Sequence, residues 1–275
     1  MWGGGKWSYK LIMLDKLKRL GIPFVVFTII AMVMKVLFPG DMARQASFTI
    51  QEFMHAILYP REGPLLEMWF VAVIMWMFAL TPFWNICLRS KIISVITLVF
   101  IFAIHISVDY LPLGTFLCLR DTARFGIYFY IGMLACKYGL DDRYKSFKYI
   151  ALIISIILYL VFALLDFRFG VALSGIAFSI GLAFILDKSA SRIFSSFRNY
   201  TYQIFLISIF VQIAVKMIYK RVAIMNIGLY HPMLTYIVFF LLCLTMGLYI
   251  PVIVSKVAEI LNWNPILLCL GLKKK

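Results

Sequence analysis

The sequence predicts an all-α, polytopic membrane helix bundle of about eight transmembrane helices, with both termini cytoplasmic. Three observations carry that expectation. Of the 275 residues, 64% are hydrophobic and only 14% are charged, and the mean hydropathy is +0.96, too apolar for one water-facing globule. The apolar runs are near-continuous over ~17–25 residues, the length a helix needs to cross a ~30 Å hydrocarbon core. Barrel strands would instead alternate over ~10 residues, and in lipid only helices or a closed barrel satisfy the backbone. Finally, the basic residues fall mainly in alternate loops, as the positive-inside rule requires.

The elements follow in chain order. The opening MWGGGKWSYKLIMLDKLKRLG is basic and patchily apolar, so no cleavable signal peptide is expected, and the first apolar run, 22–38, serves as the insertion signal. Residues 39–65 form the longest outer loop, carrying Asp41, Arg44, Glu52, His55, Arg61 and Glu62. Helical periodicity in QEFMHAILY suits a segment lying along the interface, placed to cover a site. Further spans are expected at 66–84, 92–110 and 124–139, the last of them short. Spans at 148–166 and 169–186 are separated only by a tight break at Asp166–Arg168. The series closes with 200–218 and 233–255. No repeat period or low-complexity linker interrupts the chain, so residues 1–275 read as a single domain.

The charge distribution supports these spans. The net charge is +15. Only Arg44, Arg61, Arg120, Arg124, Arg168, Lys220 and Arg221 fall in the loops assigned outside; Lys35 and Lys216 lie inside spans near their ends, where snorkelling to the headgroups accounts for them. The rest lie on the side that the rule makes cytoplasmic. The excess is a topology signal, so the lipid bilayer is the expected partner and nucleic acid is not.

Ionisable groups inside spans are costly and informative. His105 lies in FAIHISVDY with Asp109 four residues on, one face of a continuing helix. The pair reads either as a clamp between helices or as a general base whose imidazole the carboxylate orients. Arg120 and Arg124, in CLRDTARFG, are also four apart and suit either an interfacial anchor or an anion-holding pair. Tyr200, Tyr202 and Gln203 open the seventh span on the cytoplasmic side, and the two tyrosines read as interface belt. The five cysteines are scattered, without a CxxC pair or a Cys/His cluster, so neither a metal site nor a disulfide framework is expected. GxxxxGK[ST], HExxH and GxSxG are absent, which speaks against a nucleotide motor, a zinc protease and a serine hydrolase.

Four segments together resemble the integral membrane acyltransferases of acyltransferase family 3. LDKLKRLGIPFVVFTII (14–30) resembles the family's basic stretch, Arg-Leu, proline and membrane helix. GPLLEMWFVAVIMWMFALTP (63–82) resembles an outer-loop entry into a helix beginning Trp-Phe, here Trp69 and Phe70. RFGIYFYIGMLACKYG (124–139) is similar to the family's helix ending in an Ile-Gly-Met turn, here at Gly132. FRNYTYQIFLISIFV (197–211) resembles its penultimate helix, with Ser208 near a position where histidine is common.

The resemblance implies a bacterial inner-membrane O-acyltransferase that modifies cell-surface polysaccharide. It would move an acyl group, acetyl by expectation, from acyl-CoA to a hydroxyl of a sugar or glycan, with no bound cofactor. Lys16, Lys18 and Arg19 would sit near the CoA phosphates, and Trp69 would stack on the sugar. Relatives carry about ten spans, with catalysis credited to an arginine near the start and a histidine in the first span. This chain begins at what resembles the third helix, so it is expected to be a fragment or a short, inactive form. None of His55, His105 and His231 matches that histidine. The alternatives from other classes are a glycan or lipid transporter or flippase subunit and a non-catalytic membrane protein; matching repeat halves would favour the transporter, and none is visible.

Overall fold

The computed structural model describes residues 9–38, 48–221 and 232–273. Lys6, Asp41, Arg44 and His231, which carry some of the expectations above, lie outside the described residues. Among the described residues every regular element is helical, as the backbone rule for lipid demands.

The helices are α1 (Tyr9–Lys16), α2 (Ile22–Leu37), α3 (Ile50–Leu58), α4 (Trp69–Ala79), α5 (Thr81–Cys87), α6 (Lys91–Ser107) and α7 (Leu119–Lys137). They continue with α8 (Leu140–Ser146), α9 (Lys148–Leu164), α10 (Arg168–Asn199), α11 (Thr201–Arg221), α12 (Pro232–Leu261) and α13 (Asn264–Cys269). Each expected span coincides with a helix except 66–84, which is divided between α4 and α5. Among the described residues four segments are long and apolar enough to cross a bilayer: Met13–Leu37, Arg168–Leu186, Thr201–Tyr219 and Met233–Leu261. The pair α4 and α5, divided at Leu80, is a fifth when read together, and α6 and α9 are shorter apolar helices.

Several ends have visible causes. Thr49 caps α3, its hydroxyl accepting from the Glu52 N–H at 3.2 Å, and Ser90 caps α6 through the Ile93 N–H; each cap satisfies an amide left open by the helix start. The break between α9 and α10 comes at Asp166, whose φ of 49° is left-handed, a conformation aspartate tolerates better than most residues. The helix through 124–139 does not turn at Gly132. It runs on to Lys137, and Gly139, at φ 60°, ends it. Likewise α10 continues past residue 186 as helix to Asn199, where a loop was expected.

The chain gathers into two compact units. One holds residues 81–111 and 123–195. Within it Trp84 packs on Tyr130 with ring centres 5.8 Å apart, and the Tyr130 hydroxyl donates to the Ser94 carbonyl at 3.2 Å. Helices α9 and α10 approach closely at Gly170, where a Cβ would meet the Phe162 and Phe167 rings at 2.5–2.7 Å. The outward positions of α9, among them Ile153, Ile154 and Ile157, are exposed and apolar, as a lipid-facing helix requires.

The other unit holds residues 6–80, 112–122 and 196–275. Its core joins Phe24, Phe27 and Ala31 of α2 to Val71 of α4, Leu206 of α11, Ala258 of α12 and Leu267 of α13. Lys35, expected to snorkel outward, is instead buried in this unit, only 4% exposed.

Candidate functional site

A polar and aromatic cluster forms at the N-terminal end of α4. The chain leaves α3 through a turn at Pro60–Gly63, with the Gly63 N–H donating to the Pro60 carbonyl. Arg61 projects from this turn, and its Nε donates to Oδ2 of Asp121, in the first turn of α7, at 2.6 Å. The Asp121 side chain is buried and that of Arg61 partly so, and a charge-assisted bond of this length in a desolvated place is strong. The Arg61 guanidinium also lies 4.8 Å over the Trp69 ring, a cation–π contact with the residue that begins α4. Beside it, Glu62 accepts from the Thr115 hydroxyl at 2.9 Å and stands 3.4 Å from His55 Nε2. His55 stacks on Tyr59, which meets Phe116 edge-on.

The backbone here is strained. Leu117 and Cys118 have φ of 47° and 57°, a region unfavourable for residues with a side chain. The Leu117 carbonyl is held by the Trp76 indole N–H at 3.0 Å. Strain of this kind persists only where surroundings over-determine it, and it concentrates at functional sites. Burial pushes the Cys118 thiol up to about 11, the Asp121 carboxylate adds to the rise, and Arg61 opposes it.

The other end of α4 meets the basic segment. Tyr9 donates from its hydroxyl to the Ala79 carbonyl at 2.6 Å, and the Lys16 ammonium lies 4.4 Å over the Phe78 ring. Between α1 and α2 the chain widens into a π-turn at Leu17–Gly21, a form frequent at functional positions. Arg19 donates to the Gly271 carbonyl at 3.3 Å and lies 3.9 Å from Asp15, which Lys273 also approaches at 3.6 Å. Lys18 is exposed. The two polar regions are thus held at opposite ends of an 11-residue helix, ~16 Å apart along its axis at ~1.5 Å per residue.

His105 belongs to the first unit. Its Nδ1 lies 2.6 Å from the Arg124 carbonyl. A carbonyl only accepts, so Nδ1 carries the proton and Nε2 is the basic nitrogen. The ring is edge-on to Tyr128 and tilted against Phe169. Asp109 does not share a helix face with His105, because α6 ends at Ser107 and Asp109 lies in the following turn. Its carboxylate accepts from the Arg124 guanidinium. Arg124 therefore meets both residues, one through its carbonyl and the other through its side chain.

Arg124 is thereby paired with a carboxylate within the protein, and Arg120 is half-buried four residues before it. Asp121, which stands between these two arginines in the sequence, reaches Arg61 across sixty residues of sequence. Tyr200, Tyr202 and Gln203 are internal ties, not a belt: Tyr200 donates to Glu259 at 3.1 Å, Tyr202 to the Leu20 carbonyl at 3.1 Å and Gln203 to the Leu270 carbonyl at 2.7 Å. Sequence reasoning missed the Arg61–Asp121 pair and the Glu62–Thr115 bond. Their only trace in the sequence is charge within the loop at 39–65. Among the described residues no group of three His, Cys, Asp or Glu is arranged to hold a metal ion.

A family model described as an acyltransferase domain, that of acyltransferase family 3, matches residues 3–256. No curated protein and no solved structure matches the chain.

Proposed function

From the premise that the chain belongs to acyltransferase family 3, as a multi-pass membrane protein, we propose that it moves an acyl group, acetyl in the simplest case, from acyl-CoA to a hydroxyl of a cell-surface sugar or glycan. On this reading the protein sits in a bacterial inner membrane with both termini cytoplasmic, following the positive-inside count. Lys18 and Arg19 then face the cytoplasm, where cationic side chains hold the phosphates of the donor. The acceptor binds at the other end of α4.

The observation that carries the acceptor reading is the Arg61 guanidinium bridging Asp121 and Trp69. A fixed donor, a fixed acceptor and an aromatic face are what a polyhydroxylated ring needs: hydrogen bonds to its hydroxyls and stacking against its C–H face. In the transfer, the acceptor oxygen attacks the thioester carbonyl. The C–O bond forms, the C–S bond breaks, the hydroxyl proton passes to a base, and CoA leaves as a thiolate that is then protonated.

The test uses the purified full chain with acetyl-CoA and a glycan-lipid extract, reading free CoA together with acyl-labelled glycan. We expect labelling that falls at least about tenfold in Trp69→Ala through the acceptor KM, each tenfold being ~1.4 kcal/mol, and in Lys18→Ala/Arg19→Ala through the donor KM. Unchanged turnover in Trp69→Ala removes the acceptor site. Unchanged donor affinity in the double variant removes the phosphate site. Glycan movement across vesicles without labelling would replace the enzyme reading with transport.

A further inference from the structure

Between the two polar ends of α4 lies a slot of about 600 Å³. Phe24, Val25 and Val26 of α2 form one wall and Ala72, Met75 and Phe78 of α4 the other, with Ile57 and Leu117 at the end toward Arg61 and Lys16 at the opposite end. Lys16 is the one charged side chain in this lining. The Trp76 indole, also in the wall, gives its N–H to the Leu117 carbonyl. Leu17 and Val25, at the rim, are exposed apolar residues, so in a bilayer the slot is entered from the hydrocarbon.

We propose that this slot holds one acyl chain of an anionic phospholipid, with the lipid phosphate at Lys16. Three features select that occupant. The walls offer no hydrogen-bond partner, so a chain of methylenes fits, while the amides of a pantetheine arm would lose their bonds to water without replacement. Lys16 has no carboxylate at ion-pair distance among the described residues; Asp15, the nearby acid, is shared by Arg19 and Lys273. The mouth therefore carries the positive charge of Lys16, and it favours an anionic headgroup over a zwitterionic one. Last, entry past Leu17 and Val25 admits a molecule already in the membrane. The lipid would fill the space between α2 and α4 beside the π-turn and brace the segment that carries Arg19.

The experiment is native mass spectrometry of the full chain released from detergent, with phosphatidylglycerol, phosphatidylcholine or palmitoyl-CoA added at equal concentration. We expect phosphatidylglycerol to bind about tenfold more tightly than phosphatidylcholine, and Lys16→Gln to lower that preference about fivefold, in line with ~1 kcal/mol per basic side chain at the surface. Ala72→Trp, which fills the slot, should abolish the bound lipid, and Val26→Phe, a smaller intrusion, should weaken it. Both are compared at matched unfolding temperature. Equal retention of the two phospholipids overturns the proposal, as does lipid binding unchanged in both slot-filling variants. Displacement of phosphatidylglycerol by palmitoyl-CoA also overturns it and assigns the slot to an acyl donor.

Discussion

Single side chains at the α4 entrance matter because their charges are partly out of water. Removing Arg61 leaves Asp121 buried without its 2.6 Å partner, and a lost hydrogen bond to a charged group costs ~1.5–3 kcal/mol. Arg61→Ala should therefore destabilise the protein by about 2 kcal/mol, read as a drop in detergent unfolding temperature. Asp121→Asn should cost less in the same assay, since it removes the buried charge together with the pairing. Cys118 reports on the same place. Its thiol, pushed up from 9.0 to about 11 by burial and by Asp121, stays protonated in the fold at pH values where the unfolded chain ionises. The stabilisation is present below pH 9.0 and is lost as pH rises toward about 11. A Cys118→Ser variant should show a weaker loss of stability over that window. The pair could not be read from the sequence, because Arg61 and Asp121 are distant along the chain and only the folding of α3, α4 and α7 brings them together. His105 and Asp109 show the opposite case. Their spacing was legible, but the inference assumed a helix that in fact ends at Ser107.

At the scale of elements, the C-terminal helix acts as a brace. Gly271 sits at φ 68°, and a Cβ there would collide with the Arg19 carbonyl oxygen and stand 3.2 Å from the Tyr202 ring. The left-handed conformation alone costs a residue with a side chain ~1–2 kcal/mol. Gly271→Ala should therefore lower stability by at least that amount and loosen α13 from the π-turn. Faster hydrogen exchange at Arg19 and Leu20 would show it, and unchanged exchange there would remove the bracing role. The helices themselves were legible from apolar run length. Their ends were less so. The carry-through of α10 to Asn199 and the division of α4 from α5 at Leu80 have no period to announce them.

At the scale of the molecule, the governing constraint is the bilayer. The apolar exteriors of α9 and α12 would aggregate in water and are satisfied in lipid. The basic loops then set orientation. A C-terminal alkaline phosphatase fusion should be inactive and a fluorescent fusion at the same point bright, while insertions at 112–115 should reverse both. The opposite pattern would invert the topology and move the donor site to the other face.

What the sequence determined by itself was class, helix positions and family, because each depends on local run length, on charge summed over loops, or on motif order along the chain. Trp69 at a helix start and Arg19 beside a membrane helix were visible for the same reason. The partners of those residues were decided only by tertiary structure. Asp121 turns to Arg61, Tyr202 and Gln203 tie inward, and Lys35 is buried, because a buried polar group takes whatever partner the packing of distant helices brings within hydrogen-bond reach, and that distance is not written in any local pattern.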